Sequence, residues 1–186
     1  MKPYMGAESL TTEIPLNASS RAALEQRFGE LLTANRPALS RLASSYTRTA
    51  SDRDDLLQEI AMALWQALPR FRGECSERTF LFRIALNKCL AHLSRRSSLI
   101  PLDTEQVDVE DPAPSAEHQL SQEQDGERLV DAVRRLPLMY RQVITLTLEG
   151  LSYREIAQVL GIGESNVGVR LNRARQLLRT LLEDGP

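Results

Sequence analysis

From residue 20 onward the apolar positions recur every three to four residues, the spacing that lines one face of a helix. Ala23, Leu24, Phe28, Leu31 and Leu32 form the first such stripe, and Asn35 with Pro37 interrupts it and starts a second through Leu39, Leu42, Ala43 and Tyr46. Ser51-Asp52-Arg53-Asp54 has the form of a capping box, with Ser51 as cap and Asp54 three residues on. It opens a helix carrying Leu56, Leu57, Ile60, Ala61, Leu64 and Leu68, which Pro69 ends. Residues 71–78 read as a loop, with Gly73 as turn residue and Ser76 as cap of a helix over 77–96, whose Ile84, Leu86, Leu90 and Leu93 need burial. Further on, Leu129, Val133 and Leu136 precede Pro137, and Tyr140, Val143, Ile144, Leu146 and Leu148 mark a helix closed by Glu149-Gly150.

The sharpest pattern is Tyr153 to Arg175. Ile156, Ala157, Val159 and Leu160 share helical spacing, Gly161 breaks it, and Val167, Val169, Leu171 and Ala174 resume it. Two tightly crossed helices need a small residue at the contact, a turn residue tolerant of unusual backbone angles and an apolar plug; Ala157, Gly161 and Val167 have that spacing. This predicts a helix-turn-helix, the second helix starting near Glu164 or Ser165 and presenting Glu164, Ser165, Asn166, Arg170 and Arg173 to a major groove. Arg170, Arg173 and Arg175 suit phosphates or guanine edges.

Composition changes the picture mainly through charge. The chain of 186 residues has 42% hydrophobic and 26% charged residues, ordinary for a globular protein, and a net charge of -2 that looks wrong for a nucleic-acid binder. Divided along the chain, residues 1–98 hold 14 Lys and Arg against 10 Asp and Glu, residues 99–127 hold 0 against 9, and residues 128–186 hold 9 against 6. Two mildly basic ends thus flank an acidic segment. That segment, with Pro101, Pro112 and Pro114, reads as a flexible linker, and residues 1–19 as a flexible leader. The expected fold class is all-α: two small helical domains, 20–96 and 128–186, joined by an acidic flexible linker over 97–127, the second domain containing the helix-turn-helix.

MKPYMGAE has no apolar core of signal-peptide length and Ile60 to Trp65 is the longest apolar run, so a cytoplasmic location is expected. Cys75 and Cys89 then read as reduced thiols, and Cys89 with His92 lacks a second ligand pair for a metal. No phosphate-cradling glycine loop or nucleophile with a paired base is visible, so neither enzyme activity nor a cofactor is expected. The helix over 77–96 combines flat rings with cations, Phe80, Phe82, Arg83, Asn87, Lys88, Arg95 and Arg96, a pairing that suits unstacked single-stranded DNA. Core packing is the alternative for either Phe.

These pieces, in this order, resemble a bacterial RNA polymerase sigma factor of the extracytoplasmic-function (ECF) class, over about residues 21–182. The resemblance rests on AspLeuLeuGlnGluIle at 55–60, FRGECSERTFLFRIALNK at 71–88, and LeuPro at 136–137 leading through GLSYREIAQVLGI to RLNRAR. It implies that Asp55, Leu57, Gln58 and Glu59 dock on the clamp helices of the largest subunit of RNA polymerase core. It also implies that Arg72, Arg78, Thr79, Phe80, Phe82, Arg83, Asn87, Lys88, Arg95 and Arg96 recognise and melt the downstream promoter element. Glu164, Ser165, Asn166, Val169, Arg170, Arg173 and Arg175 would read the upstream element, while neighbouring apolar helices bind the flap of the second-largest subunit. Promoter DNA and an anti-sigma factor, often membrane-anchored in this class, are the further partners implied, with no small-molecule substrate.

The sequence also departs from the family. Phe80 and Phe82 stand where Trp and Tyr are usual, and Gly168 stands near a usual Lys or Arg, at about 1 kcal/mol of helix propensity relative to Ala. A stand-alone helix-turn-helix regulator is the closest rival reading; it leaves 55–96 unexplained.

Overall fold

The structure, a computed structural model, describes residues 18–99 and 120–183. Nearly all of the expected leader and residues 100–119 of the expected linker lie outside the described residues. The fold is all-α, in two lobes. The first holds α1 (Ala18–Ser44), α2 (Ala50–Ala67), a short 3₁₀ turn (Leu68–Arg70) and α3 (Glu77–Leu99); the second holds α4 (Leu120–Arg135), α5 (Leu138–Leu148), α6 (Tyr153–Leu160) and α7 (Glu164–Glu183).

In the first lobe α2 packs between α1 and α3, burying Leu42, Leu56, Ile60, Leu64, Leu81 and Phe82. In the second, α7 is the spine against which α4, α5 and α6 pack around Val133, Leu146, Ile156, Val167 and Leu171. The two lobes also touch, α3 against α6.

Three local expectations are corrected. The break expected at Asn35 and Pro37 is absent, and α1 runs through both. Pro37 costs one backbone hydrogen bond, but Leu31, Ala38, Leu39, Leu42 and Ala43 are buried along the continuous helix, and the Asn35 side chain donates to the Leu31 carbonyl at 2.8 Å. Burial outweighs the local breaker. The cap of α2 is Thr49, not Ser51: Thr49 is extended (φ -114, ψ 158) and its hydroxyl accepts from the Asp52 amide at 3.1 Å, which leaves Ser51 inside the first turn and Asp54 beyond it. Finally, α3 extends to Leu99 and α4 starts at Leu120, so helix reaches into both ends of the segment read as linker.

Candidate nucleic-acid interface

The helix-turn-helix is built from caps outward. Ser152, extended at φ -68 and ψ 161, accepts the Glu155 amide on its hydroxyl at 3.3 Å, while the Glu155 carboxylate accepts the Ser152 amide at 2.9 Å and hydroxyl at 2.7 Å. α6 ends at Gly161, whose φ of 66 lies in the left-handed region, and the Ile162 amide returns to the Ala157 carbonyl at 3.1 Å. α7 then buries Val167, Leu171, Ala174 and Leu178 on one stripe. The spacing of Ala157, Gly161 and Val167 therefore does what the sequence suggested.

The capping box also sets a titration. The Ser152 amide first, then its hydroxyl, hold the Glu155 carboxyl below the usual carboxylate range, with Thr79 and Arg78 adding to the effect. A carboxyl whose folded pKa is depressed contributes stability above its unfolded value, near ~4.3, and loses it as pH falls through the lower folded value. Glu155→Gln should therefore be less stable than wild type at pH 7, and the gap should close in acid. Ser152→Ala should cost about 1 kcal/mol at neutral pH. Thermal denaturation at both pH values checks this; a gap that widens in acid contradicts the assignment.

Outside the buried stripe, Glu164, Ser165, Asn166, Val169, Arg173 and Arg175 are exposed, with Val169 at 55%. Arg170 is half-buried and its Nε donates to Asn166 Oδ1 at 2.9 Å, so these two side chains present one joined group. Gly168 lies beneath Tyr153: a Cβ there would meet only the Tyr153 ring, at 3.6 Å, an ordinary contact. Exposed Tyr153 and Arg154 at the start of α6 join this face, and the sequence reading passed over both; the Ser-x-x-Glu cap immediately around them was the available signal.

In the first lobe Gly73 turns the loop with φ 75, and the Ser76 hydroxyl caps α3 by accepting the Thr79 amide at 3.0 Å, as expected. The aromatics part company. Phe80 is half-buried with its ring 4.8 Å from that of Phe71, whereas Phe82 is fully buried beneath the Arg78 guanidinium, 5.2 Å from the ring centroid. A base cannot stack on a ring inside the core, so the expectation that Phe82 captures one is corrected. Thr79 is likewise buried, and Arg83 has its Nε buried without a hydrogen-bond partner. Arg72 and Asn87 are exposed and Lys88 half-buried. Arg95 pairs with Glu59 at 2.7 Å and Arg96 with Asp52 at 2.8 Å.

Asp55 and Gln58 are exposed on α2, Leu57 and Glu59 half-buried. Met62, 58% exposed, continues the same face one turn on, and the sequence reading did not name it. Burial pushes the Cys89 thiol well above its usual range, which leaves it inert, and Cys75 is half-buried. Among the described residues no three His, Cys, Asp or Glu side chains converge on a metal position, and no helix is long and apolar enough to cross a membrane.

Between the lobes, Arg41 grips Glu149 through Nε at 2.9 Å and a terminal nitrogen at 2.6 Å. Arg78 donates to the Glu149 carbonyl and, at 3.2 Å, to Asn35 Oδ1. The Thr79 hydroxyl reaches Glu155 at 3.4 Å, and Arg134 donates to the Ser44 carbonyl at 2.9 Å.

Comparison with known proteins matches both lobes. The Sigma-70 region 2 family covers residues 31–99 and the Sigma-70, region 4 family residues 126–178. The RNA polymerase sigma factor NccH of Alcaligenes xylosoxydans xylosoxydans is 34% identical over 84% of this chain and 87% of its own length. The ECF RNA polymerase sigma factor SigM of Mycobacterium tuberculosis is 30% identical over 95% and 88%. Among solved structures, CnrH in complex with the cytosolic domain of CnrY aligns with a TM-score of 0.65 at 30% identity, covering 89% of this chain and 96% of that one.

Proposed function

Since the chain belongs to the ECF class of RNA polymerase sigma factors, and so acts in transcription initiation rather than as a stand-alone regulator, we propose how its surfaces divide that work. Asp55, Leu57, Gln58, Glu59 and Met62 form the face that docks on RNA polymerase core. The loop after Phe71 and the start of α3, with Arg72, Phe80, Asn87 and Lys88, engage the downstream promoter element as it opens. Asn166, Val169, Arg170, Arg173 and Arg175 read the upstream element as duplex. An anti-sigma factor restrains the protein, a partner supported by the CnrH complex with CnrY. The work takes place in the cytoplasm.

One observation carries this reading. A capped, turn-led α3 with an accessible ring and a helix-turn-helix with an outward basic flank occur on one chain, and a lone duplex reader needs only the second. The test is to assemble the chain with purified RNA polymerase core and select upstream sequences from a randomised duplex pool. Arg173→Ala should then cost ~1 to 3 kcal/mol of duplex binding if Arg173 meets a base edge, or lower the salt slope by about 1 if it meets a phosphate. A wild-type chain that fails to comigrate with core sinks the proposal, and unchanged occupancy with Arg173→Ala removes that residue from it.

A further inference from the structure

We propose that Arg27 is a positioning residue for strand opening: from α1 it holds the loop over 72–76 and the paired rings of Phe71 and Phe80 in the arrangement that the downstream element meets. The proposal rests on the reading of that loop and of α3 given above. It adds a residue that lies one helical turn ahead of the stretch matched to the Sigma-70 region 2 family. The Arg27 guanidinium makes two contacts at once. Its edge closes on Glu77 Oε1, from Nε at 2.6 Å and a terminal nitrogen at 2.5 Å, while its face lies over the Phe71 ring, 5.3 Å from the centroid. Phe71 leads into the loop and Glu77 opens α3, so one side chain ties both ends of the loop together.

The tie is anchored at its far end. Phe28, next in sequence, sets its ring edge-on to Trp65 of α2 at 5.2 Å and 76°, which fixes this turn of α1 to the lobe. From Arg27 the order passes on: Phe71 meets Phe80 at 4.8 Å and 43°, and Phe80 is the ring proposed to face an unstacked base. Gly73 and Ser76 shape the loop only through their own neighbours in sequence. Arg72, Gly73, Glu74 and Ser76 are exposed, so burial does not hold the loop and its order depends on ties from outside it. Arginine suits this task better than lysine. A planar guanidinium serves a carboxylate with its edge and a ring with its face, whereas an ammonium is a compact point charge with no plane to divide between them. With side chains 39% and 41% exposed, the pair of Arg27 and Glu77 adds little to global stability, so its loss should loosen the loop without unfolding the lobe.

The test follows opening by the full chain assembled with core, on a promoter duplex that this holoenzyme selects from a randomised pool and that carries 2-aminopurine in its downstream element. Arg27→Ala should slow opening about 3- to 10-fold, with promoter binding, helical content and unfolding midpoint near wild type. Arg27→Lys, which keeps the charge, should slow it less, and it carries the comparison if the alanine variant proves unstable. In the free chain, trypsin should cut after Arg72 faster in Arg27→Ala by about the same factor. Because Arg27 acts through Phe71, adding Phe71→Leu to Arg27→Ala should slow opening no further than the slower single variant does. Slowing that multiplies in the double variant means that Arg27 acts on DNA by itself, and overturns the proposal. Either rate unchanged in Arg27→Ala also overturns it, while leaving α3 as the opening surface. A wild-type holoenzyme that selects and opens no duplex brings down the reading of α3 and the positioning role together.

Discussion

Phe82→Ala is expected to destabilise the first lobe by about 3 to 5 kcal/mol, the range for deleting a fully buried aromatic ring. Phe82 is completely buried, and truncation would open a cavity and remove the ring beneath the Arg78 guanidinium. Promoter opening would fail with it, but only because the lobe unfolds, so a template already mismatched at the downstream element should not restore transcription. Phe80→Ala should behave in the opposite way. Its ring is half-buried against Phe71, its loss should leave the unfolding midpoint closer to wild type, and the mismatched template should rescue it. Urea denaturation and transcription on the two templates separate these outcomes. A Phe82→Ala protein of wild-type stability would show that the ring is no part of the core.

The second large effect is expected on α2. Replacing Asp55 and Gln58 together by Arg should weaken binding to polymerase core by at least about 30-fold, the consequence of losing an interface hot spot worth ~2 kcal/mol. Both side chains are exposed and neither has a hydrogen bond to another described side chain, so the fold should tolerate the change. Glu59 would be a poorer test, because its pairing with Arg95 would break at the same time. Titration of core against labelled chain measures the loss, with circular dichroism as control. Binding within about two-fold of wild type would place the docking face elsewhere.

How much of this was legible in the sequence depends on the range of the interactions. The helix-turn-helix was readable because its determinants are local: one left-handed glycine, one small contact residue and one buried Val within eleven positions. The division of labour between Phe80 and Phe82 was not. Two positions apart on a helix they point in nearly opposite directions, so one had to face inward, but only the packing of α3 on α2 decides which. Pro37 misled for the same reason, a local breaker overruled by burial along α1. Thr49 and Ser51 offer the same capping chemistry, and only backbone angles distinguish them. The Arg41 pair with Glu149 joins residues that no sequence period connects, and nothing short of the folded chain announces it.

The bare position under Tyr153 bears on how such a factor changes its set of genes. Because a side chain at residue 168 would meet one ring edge at ordinary contact distance, packing does not demand glycine there. Replacing it would even raise helix propensity, by about 1 kcal/mol for Ala. Selection can therefore explore that codon without endangering the fold, each new side chain meeting the exposed Tyr153 ring beside the face proposed to read the upstream element. A duplicated copy of the gene thus has a route of one substitution toward promoters that its parent ignores.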